Sequence, residues 1–175
     1  MSCTPLQLHY AISAIGNRGI LMRPHIVKSV FDEEGNTVLL NAPEARRRVL
    51  SEPTAALMAS LLAEVVGPEG TSQKAAVNGF NVAGKSGTSQ KIINGRYSNK
   101  EHVGSFSGFF PADNPRVHIT VVVDGAKIGA VAFGSTVAAP SFRRISEQLI
   151  QHLCIKPSQP ASGILVLNKN HFFKN

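Results

Sequence analysis

Aromatic residues make up 6% of the 175 positions, tryptophan is absent, and acidic residues number 11 against 18 lysines and arginines. The resulting net charge of +7 favours anionic partners. Yet the only adjacent cations are Arg46-Arg47-Arg48 and Arg143-Arg144, with no aromatic residues interleaved among them. They read as solvated faces rather than a nucleic-acid surface, so no nucleic-acid partner is expected. The two cysteines, Cys3 and Cys154, stand near opposite ends without CxxC spacing, which excludes a disulfide framework and a thiolate metal site. Six dispersed histidines without an HExxH pair complete the case for no metal, and no cofactor motif is expected. No apolar run approaches the ~18 residues of a membrane span. Met1 to Gln7 hold no charged and apolar leader, so the chain as written carries no export signal and is expected in the cytoplasm if made in this form.

What is present is enough apolar residue, 43%, for one domain with a core. The chain opens on a helix: Thr4, Pro5 and Gln7 form a T-x-x-Q capping box with proline at the first helical position, and the apolar run from Leu6 to Ile15 stops near Asn17 and Gly19. A helix that apolar needs cover on more than one face, and a chain beginning on it reads as cut from something longer. His25 to Leu40 predicts a hairpin arm, with strands Ile26 to Phe31 and Thr37 to Leu40 around Glu33-Glu34-Gly35-Asn36. A second helix is expected from Ser51 or Glu52, facing the core with Leu57, Leu61, Leu62, Val65 and Val66. Ile92 to Lys100 reads as a loop. Strands Val103 to Phe110 and Val117 to Asp124 follow, and their short connection permits only an antiparallel pair. A last helix is predicted over Thr136 to Leu153, with Phe142, Ile145, Leu149, Ile150 and Leu153 on its buried stripe. Residues 154–175, Pro- and Ser-punctuated and then polar, are expected to be a disordered tail.

The chemistry concentrates in Val82-Ala83-Gly84-Lys85-Ser86-Gly87-Thr88-Ser89-Gln90. It is bounded like a strand, yet glycine and hydroxyl residues fill it, which weakens a strand unless a ligand or another backbone must come close. Lys85 followed by Ser86 and Thr88 at period two suits a carboxylate-bearing peptide or a phosphate. Gly84 and Gly87 are also compatible with a simple bulge or twist.

Gly79 to Ser86 satisfies the phosphate-loop pattern GxxxxGK[ST], with Ile119 to Asp124 as a candidate magnesium-positioning strand. That chemistry needs a helix beginning at the lysine, so that helix N-terminal amides meet the phosphates. Here Gly87 falls in what would be the first turn, no apolar stripe follows, and the Asp124 strand belongs to an antiparallel hairpin instead of a parallel sheet. A P-loop NTPase is therefore the alternative reading and not the preferred one.

Lys85-Ser86-Gly87-Thr88 also has the form of the KTG element of penicillin-recognising serine enzymes. The surroundings extend the likeness: Thr4-Pro5-Leu6-Gln7, Asn17-Arg18-Gly19, Pro24, Val82 to Thr88, Phe106 to Arg116, and Val137-Ala138-Ala139-Pro140-Ser141-Phe142-Arg143. Over nearly all of residues 1 to 153 the sequence resembles the C-terminal part of the transpeptidase domain of class B penicillin-binding proteins, the cell-wall enzymes of division and elongation. The resemblance implies the C-terminal portion of an α+β domain, three consecutive antiparallel strands with helices packed on them. It implies an enzyme that cross-links peptidoglycan through a serine ester, anchored in the membrane with this domain outside the cytoplasm. Its partners would be the peptidoglycan stem peptide, β-lactams and the N-terminal half of the domain.

By the same resemblance, Lys85 would hold the proton-transfer network beside the nucleophile and attract the anionic peptide. Ser86 and Thr88 would bind the substrate carboxylate, and the Thr88 N–H would be one of two oxyanion donors. Gly87, lacking Cβ, would let substrate backbone pair along the strand. The family also needs Ser-x-x-Lys and Ser-x-Asn on the N-terminal side of the lysine strand, and neither stands there in these 175 residues. Thr71-Ser72-Gln73-Lys74 has the first spacing from a threonine, in a loop; Tyr97-Ser98-Asn99 mimics the second but follows the lysine strand. The chain alone is accordingly expected to be inactive, and a non-catalytic wall-peptide or partner-binding fragment is the remaining alternative.

Overall fold

The computed structural model describes residues 3–126 and 132–158. Its centre is a three-stranded antiparallel sheet in the order β5-β6-β7, made of β5 (Ala83–Ile93), β6 (Arg96–Phe110) and β7 (Val117–Asp124). Ahead of it come helix α1 (Pro5–Gly16), the short strands β1 (Ile20–Met22), β2 (Ser29–Phe31), β3 (Thr37–Leu40) and β4 (Ala45–Arg48), and helix α2 (Glu52–Glu64). Behind it come α3 (Gly134–Val137) and α4 (Ala139–His152). This is the α+β arrangement expected, with helices on both faces of the sheet.

The helix ends follow from their residues. The Thr4 hydroxyl accepts from the Gln7 N–H while the Gln7 side chain accepts from the Thr4 N–H, satisfying two donors that the helix leaves orphaned. Asn17 caps the other end of α1, and Arg18 and Gly19 turn the chain at φ 53° and 82°. Ser51 caps α2, with its hydroxyl accepting from the Thr54 N–H.

Each sheet face has its own core. On one, Phe106 and Phe110 meet Phe142 of α4 with ring centroids 4.8 and 6.3 Å apart, edge to face; all three rings are fully buried. Geometry of that kind adds about 0.5–1.5 kcal/mol per pair beyond the burial of area. On the other face, Phe109 and Ala83 pack under Leu62 of α2, with Ile12 and Ile15 of α1 alongside. Phe106 fits over β5 because Gly84 and Gly108 are register partners: a Cβ on Gly84 would come within 2.6 Å of the Phe106 ring. Gly84 thus marks a close approach of packed groups, and the ladder stays regular there; the register breaks further on, between Gln90 and Ile92.

Several expectations need correction. Ile92 to Lys100 is no loop: β5 and β6 continue through it to the turn Asn94-Gly95, whose φ values of 51° and 77° suit a two-residue hairpin turn. Arg46-Arg47-Arg48 is exposed as expected, but it is strand β4, paired with β1. The first arm strand is short, Ser29–Phe31, and most residues of β2 and β3 are exposed. On α2 the buried positions are Ala55 and Leu62, while Leu57 and Leu61 are 61% and 53% exposed. The last helix divides at Ala138, and α4 buries Ala139, Phe142 and Ser146 rather than Ile145 or Leu153. Ser146 tolerates burial because its hydroxyl donates to the Phe142 carbonyl one turn back. Beyond α4, Ile155 is buried and the Ser158 N–H donates to the Gly79 carbonyl, so the chain stays packed to that point. The rest of the expected tail, 159–175, lies outside the described residues.

Candidate functional site

Strand β5 is the last in its sheet, so among the described residues one of its edges has no strand beside it. Lys85 sits on this strand in register with Ser107, Ser86 with Phe106, Gly87 with Ser105 and Thr88 with Gly104. Alternation puts Lys85 and Gly87 on the α1 face and Ser86 and Thr88 on the α4 face. The four positions therefore converge only at the open edge, where a ligand lying alongside could meet the lysine from one side and the hydroxyls from the other. Lys85 is exposed, and its Nζ donates to the Ser86 carbonyl at 2.9 Å.

Thr88 has a partner the sequence did not disclose. Its Oγ1 accepts from the Gly134 N–H at 3.0 Å, where α3 begins. Gly134 lies so close to the sheet that a Cβ there would fall 2.2 Å from the Ser105 carbonyl oxygen and 2.3 Å from that of Gly87. Because one lone pair of the Thr88 hydroxyl is committed to this bond, its proton is directed to another acceptor, which suits a carboxylate. Gly87 is less confined: a Cβ would meet only the Ser105 Oγ, at 2.7 Å.

The phosphate-loop match fails on geometry. Lys85 lies within an antiparallel strand, and no helix begins at it, so no array of helix N-terminal amides faces its side chain. Of the other motif echoes, Gln73–Ala75 is a single 3-10 turn beside the buried Ser72, and Tyr97-Ser98-Asn99 lies in β6 just past the hairpin turn. Neither is brought to Lys85 by the register. Groups of three or more potential metal ligands are absent among the described residues.

A second polar cluster, which dispersed histidines gave no reason to expect, lies under the sheet. Ser107, the register partner of Lys85, is buried and shares hydrogen bonds with His118 Nε2 at 2.9 Å and Thr120 Oγ1 at 2.7 Å. Thr120 in turn meets His9 Nδ1 of α1 at 3.1 Å, and the His9 and His118 rings stack at 4.1 Å. Burial, followed by the nearby His9, pushes His118 down to about 3, and burial also lowers His9.

An antiparallel sheet covered by helices on both faces, its edge strand reading Lys-Ser-Gly-Thr, defines the penicillin-recognising α+β class. The family model of the penicillin-binding protein transpeptidase domain matches residues 1–147, and the chain belongs to that family. It is 41% identical over 158 residues to stage V sporulation protein D of Bacillus subtilis, covering 90% of this chain and 24% of that protein. It is 33% identical over 140 residues to peptidoglycan D,D-transpeptidase PbpA of Mycolicibacterium smegmatis, covering 80% of this chain and 28% of the relative. Among solved structures it is similar to penicillin-binding protein 3 of Mycobacterium tuberculosis complexed with ampicillin. There the TM-score is 0.80 at 32% identity, over 92% of this chain and 37% of that one. The chain thus spans about a quarter of the length of the curated relatives it matches. Among the described residues no helix is long and apolar enough to cross a membrane.

Proposed function

We propose that this chain supplies the carboxylate-binding edge of a peptidoglycan D,D-transpeptidase site, with the serine nucleophile contributed from outside these 175 residues. The observation that carries the reading is the Lys85-Ser86-Gly87-Thr88 sequence on the open edge of the sheet, with the Thr88 hydroxyl already engaged by Gly134. In the complete site, a serine hydroxyl adds to the carbonyl carbon of the penultimate D-alanine, the terminal D-alanine leaves, and an acceptor amine later displaces the ester. Ser86 and Thr88 hold the terminal carboxylate, and Lys85 keeps the proton network of the nucleophile in place. The Thr88 N–H stabilises the oxyanion, a role worth about 3 kcal/mol per donor where one has been removed. A β-lactam, whose carboxylate and strained amide imitate the peptide, acylates the same serine. The parent enzyme is read as membrane-anchored, with this domain outside the cytoplasm and serving division or elongation. Leu6, Leu57 and Leu61 are exposed apolar side chains that the rest of the domain would cover.

The test is intact-mass analysis after incubation with benzylpenicillin. The chain alone should gain no stoichiometric adduct. Joined to the Ser-x-x-Lys-bearing segment of the 41%-identical relative, it should acylate, and Lys85→Ala or Thr88→Val should abolish that. An adduct on the isolated chain that survives the joint replacement of Ser86, Thr88 and Ser89 by alanine would place the nucleophile elsewhere and defeat the reading.

A further inference from the structure

The half-buried cluster around Ser107, the register partner of Lys85, can be counted in protons. His118, Ser107, Thr120 and His9 form three successive links, and each link takes one hydrogen. The two hydroxyls supply two, so one ring nitrogen facing the chain must carry the third and the other must present a lone pair. With both rings neutral this is met when His118 donates to Ser107, Ser107 to Thr120 and Thr120 to His9. A first proton on His9 reverses the chain, and three hydrogens still serve three links once His118 moves its own hydrogen from Nε2 to Nδ1, a nitrogen without a partner among the described residues. A second proton makes both terminal nitrogens donors, and four hydrogens then compete for three links.

Electrostatics act in the same direction. The rings stack at 4.1 Å, so two imidazolium charges would face each other where burial already screens them in part from water. Among the described residues no carboxylate is placed beside them to offset these charges. The α1 sequence PLQLHYAISAIG contains no acidic residue, and β6 presents Ser105, Ser107 and Phe109 on this face, with Glu101 at its far end, 3.7 Å from Lys91. On β5 the facing charge is Lys85, in register with Ser107. On β7, Asp124 stands at the far end of the face and is paired with Lys91 at 2.9 Å. The small cavity beside His118 is lined by Ser13, Asn17 and the cation Arg116.

We propose that His9 and His118 form an acid-sensitive clasp between α1 and the sheet, closed while the pair carries at most one proton and opened by the second. The clasp lies directly across the rung from Lys85, so opening it removes the support of Ser107 under the lysine strand. This inference stands apart from the transpeptidase reading, since it concerns the 175-residue chain as it is.

The sign follows from linkage. Both histidines are lowered from 6.5 in the folded chain, so the open form binds more protons and the closed form loses ground as pH falls below 6.5. For His118, a folded value of about 3 corresponds to a roughly thirtyfold rise in the open population between pH 8 and pH 5. Imidazole titration by NMR and amide hydrogen exchange on the full chain read this directly. His118 should stay neutral at pH 5, and protection factors in α1 and around Thr120 should fall about thirtyfold. His118→Phe, which leaves two hydroxyl hydrogens for two links, should make that fall clearly smaller, leaving only the part that His9 contributes. Should that variant not fold, His9→Phe removes one charge, and the His118 titration should then move up part of the way, since its burial, the larger cause, remains. A His118 that titrates at its ordinary value in the native chain, an undiminished acid effect in His118→Phe, or an unmoved His118 in His9→Phe would each overturn the proposal.

Discussion

Replacing Gly134 by alanine tests whether α3 is pressed onto the lysine strand as tightly as described. The added Cβ would lie 2.2 Å from the Ser105 carbonyl oxygen and 2.3 Å from that of Gly87, and 2.9 Å from the Ser105 nitrogen. These are backbone atoms of paired strands, so they cannot swing aside as a side chain would, and α3 must lift instead. Overpacking of this kind costs about 1–3 kcal/mol. For a chain of this size, each kcal/mol lowers Tm by about 2–4 °C, so a fall of roughly 2–12 °C is expected by circular dichroism. The lift also breaks the bond from the Gly134 N–H to Thr88 Oγ1, which should appear as a changed Thr88 methyl resonance. Gly67→Ala is the control, because its Cβ would sit 3.4 Å from the nearest heavy atom, the Glu64 carbonyl oxygen, and should shift stability by no more than about 0.5 kcal/mol. If Gly134→Ala melts with the native chain and leaves the Thr88 signal in place, the account of α3 as a pressed contact is wrong.

Phe142→Ala should be far more costly, about 3–5 kcal/mol, because it removes a fully buried ring from between Phe106 and Phe110. An unfolding free energy from urea titration within about 1 kcal/mol of the native value would contradict that packing. Gly95→Ala meets no atom within 4 Å, so it should lose only the roughly 1–2 kcal/mol of a left-handed φ, 77° here. A much larger loss in chemical denaturation would mean that the turn is held by more than its backbone. ATP with magnesium should leave Tm unchanged, whereas a ligand at a hundred times its Kd would add about 2.7 kcal/mol. A nucleotide-dependent rise lost in Lys85→Ala would restore the phosphate-loop reading.

The main sheet and the lysine strand were legible because their signals are local: a period-two strand, a short connection that forbids a crossover, and a motif contiguous in sequence. The capping box at Thr4 and the helix start near Ser51 were legible for the same reason. The hairpin at Asn94-Gly95 was missed although the dipeptide is itself a turn signal; polar flanks such as Ser98, Asn99 and Lys100 hid the strand periodicity. The buried stripes of α2 and α4 were read only in part, since Leu62, Val66 and Phe142 are buried as expected but hydrophobicity alone selected the rest. Leu57 and Leu61 are exposed, while small Ala55 and self-bonded Ser146 are buried. Two features of the site depend on tertiary contact and left no local trace. Gly134 reaches Thr88 from 46 residues away, and His9 reaches Thr120 from 111.

The Asn94-Gly95 turn also bears on the order in which the chain can assemble. Across it β5 and β6 begin pairing from immediate neighbours, Ile93 with Arg96, and β7 follows by a short return, with Ser107 and Thr120 only 13 residues apart. Contacts that cover this meander close much longer loops, such as the 77 residues between Asn81 and Ser158 or the 111 between His9 and Thr120. By the logarithmic growth of loop entropy, closing 111 residues costs about 2 kcal/mol more than closing 13. The edge that bears Lys85 thus takes shape from the middle of the chain, before either end arrives. Trimming either terminus would strip a face from the sheet while leaving the lysine strand its own means of forming.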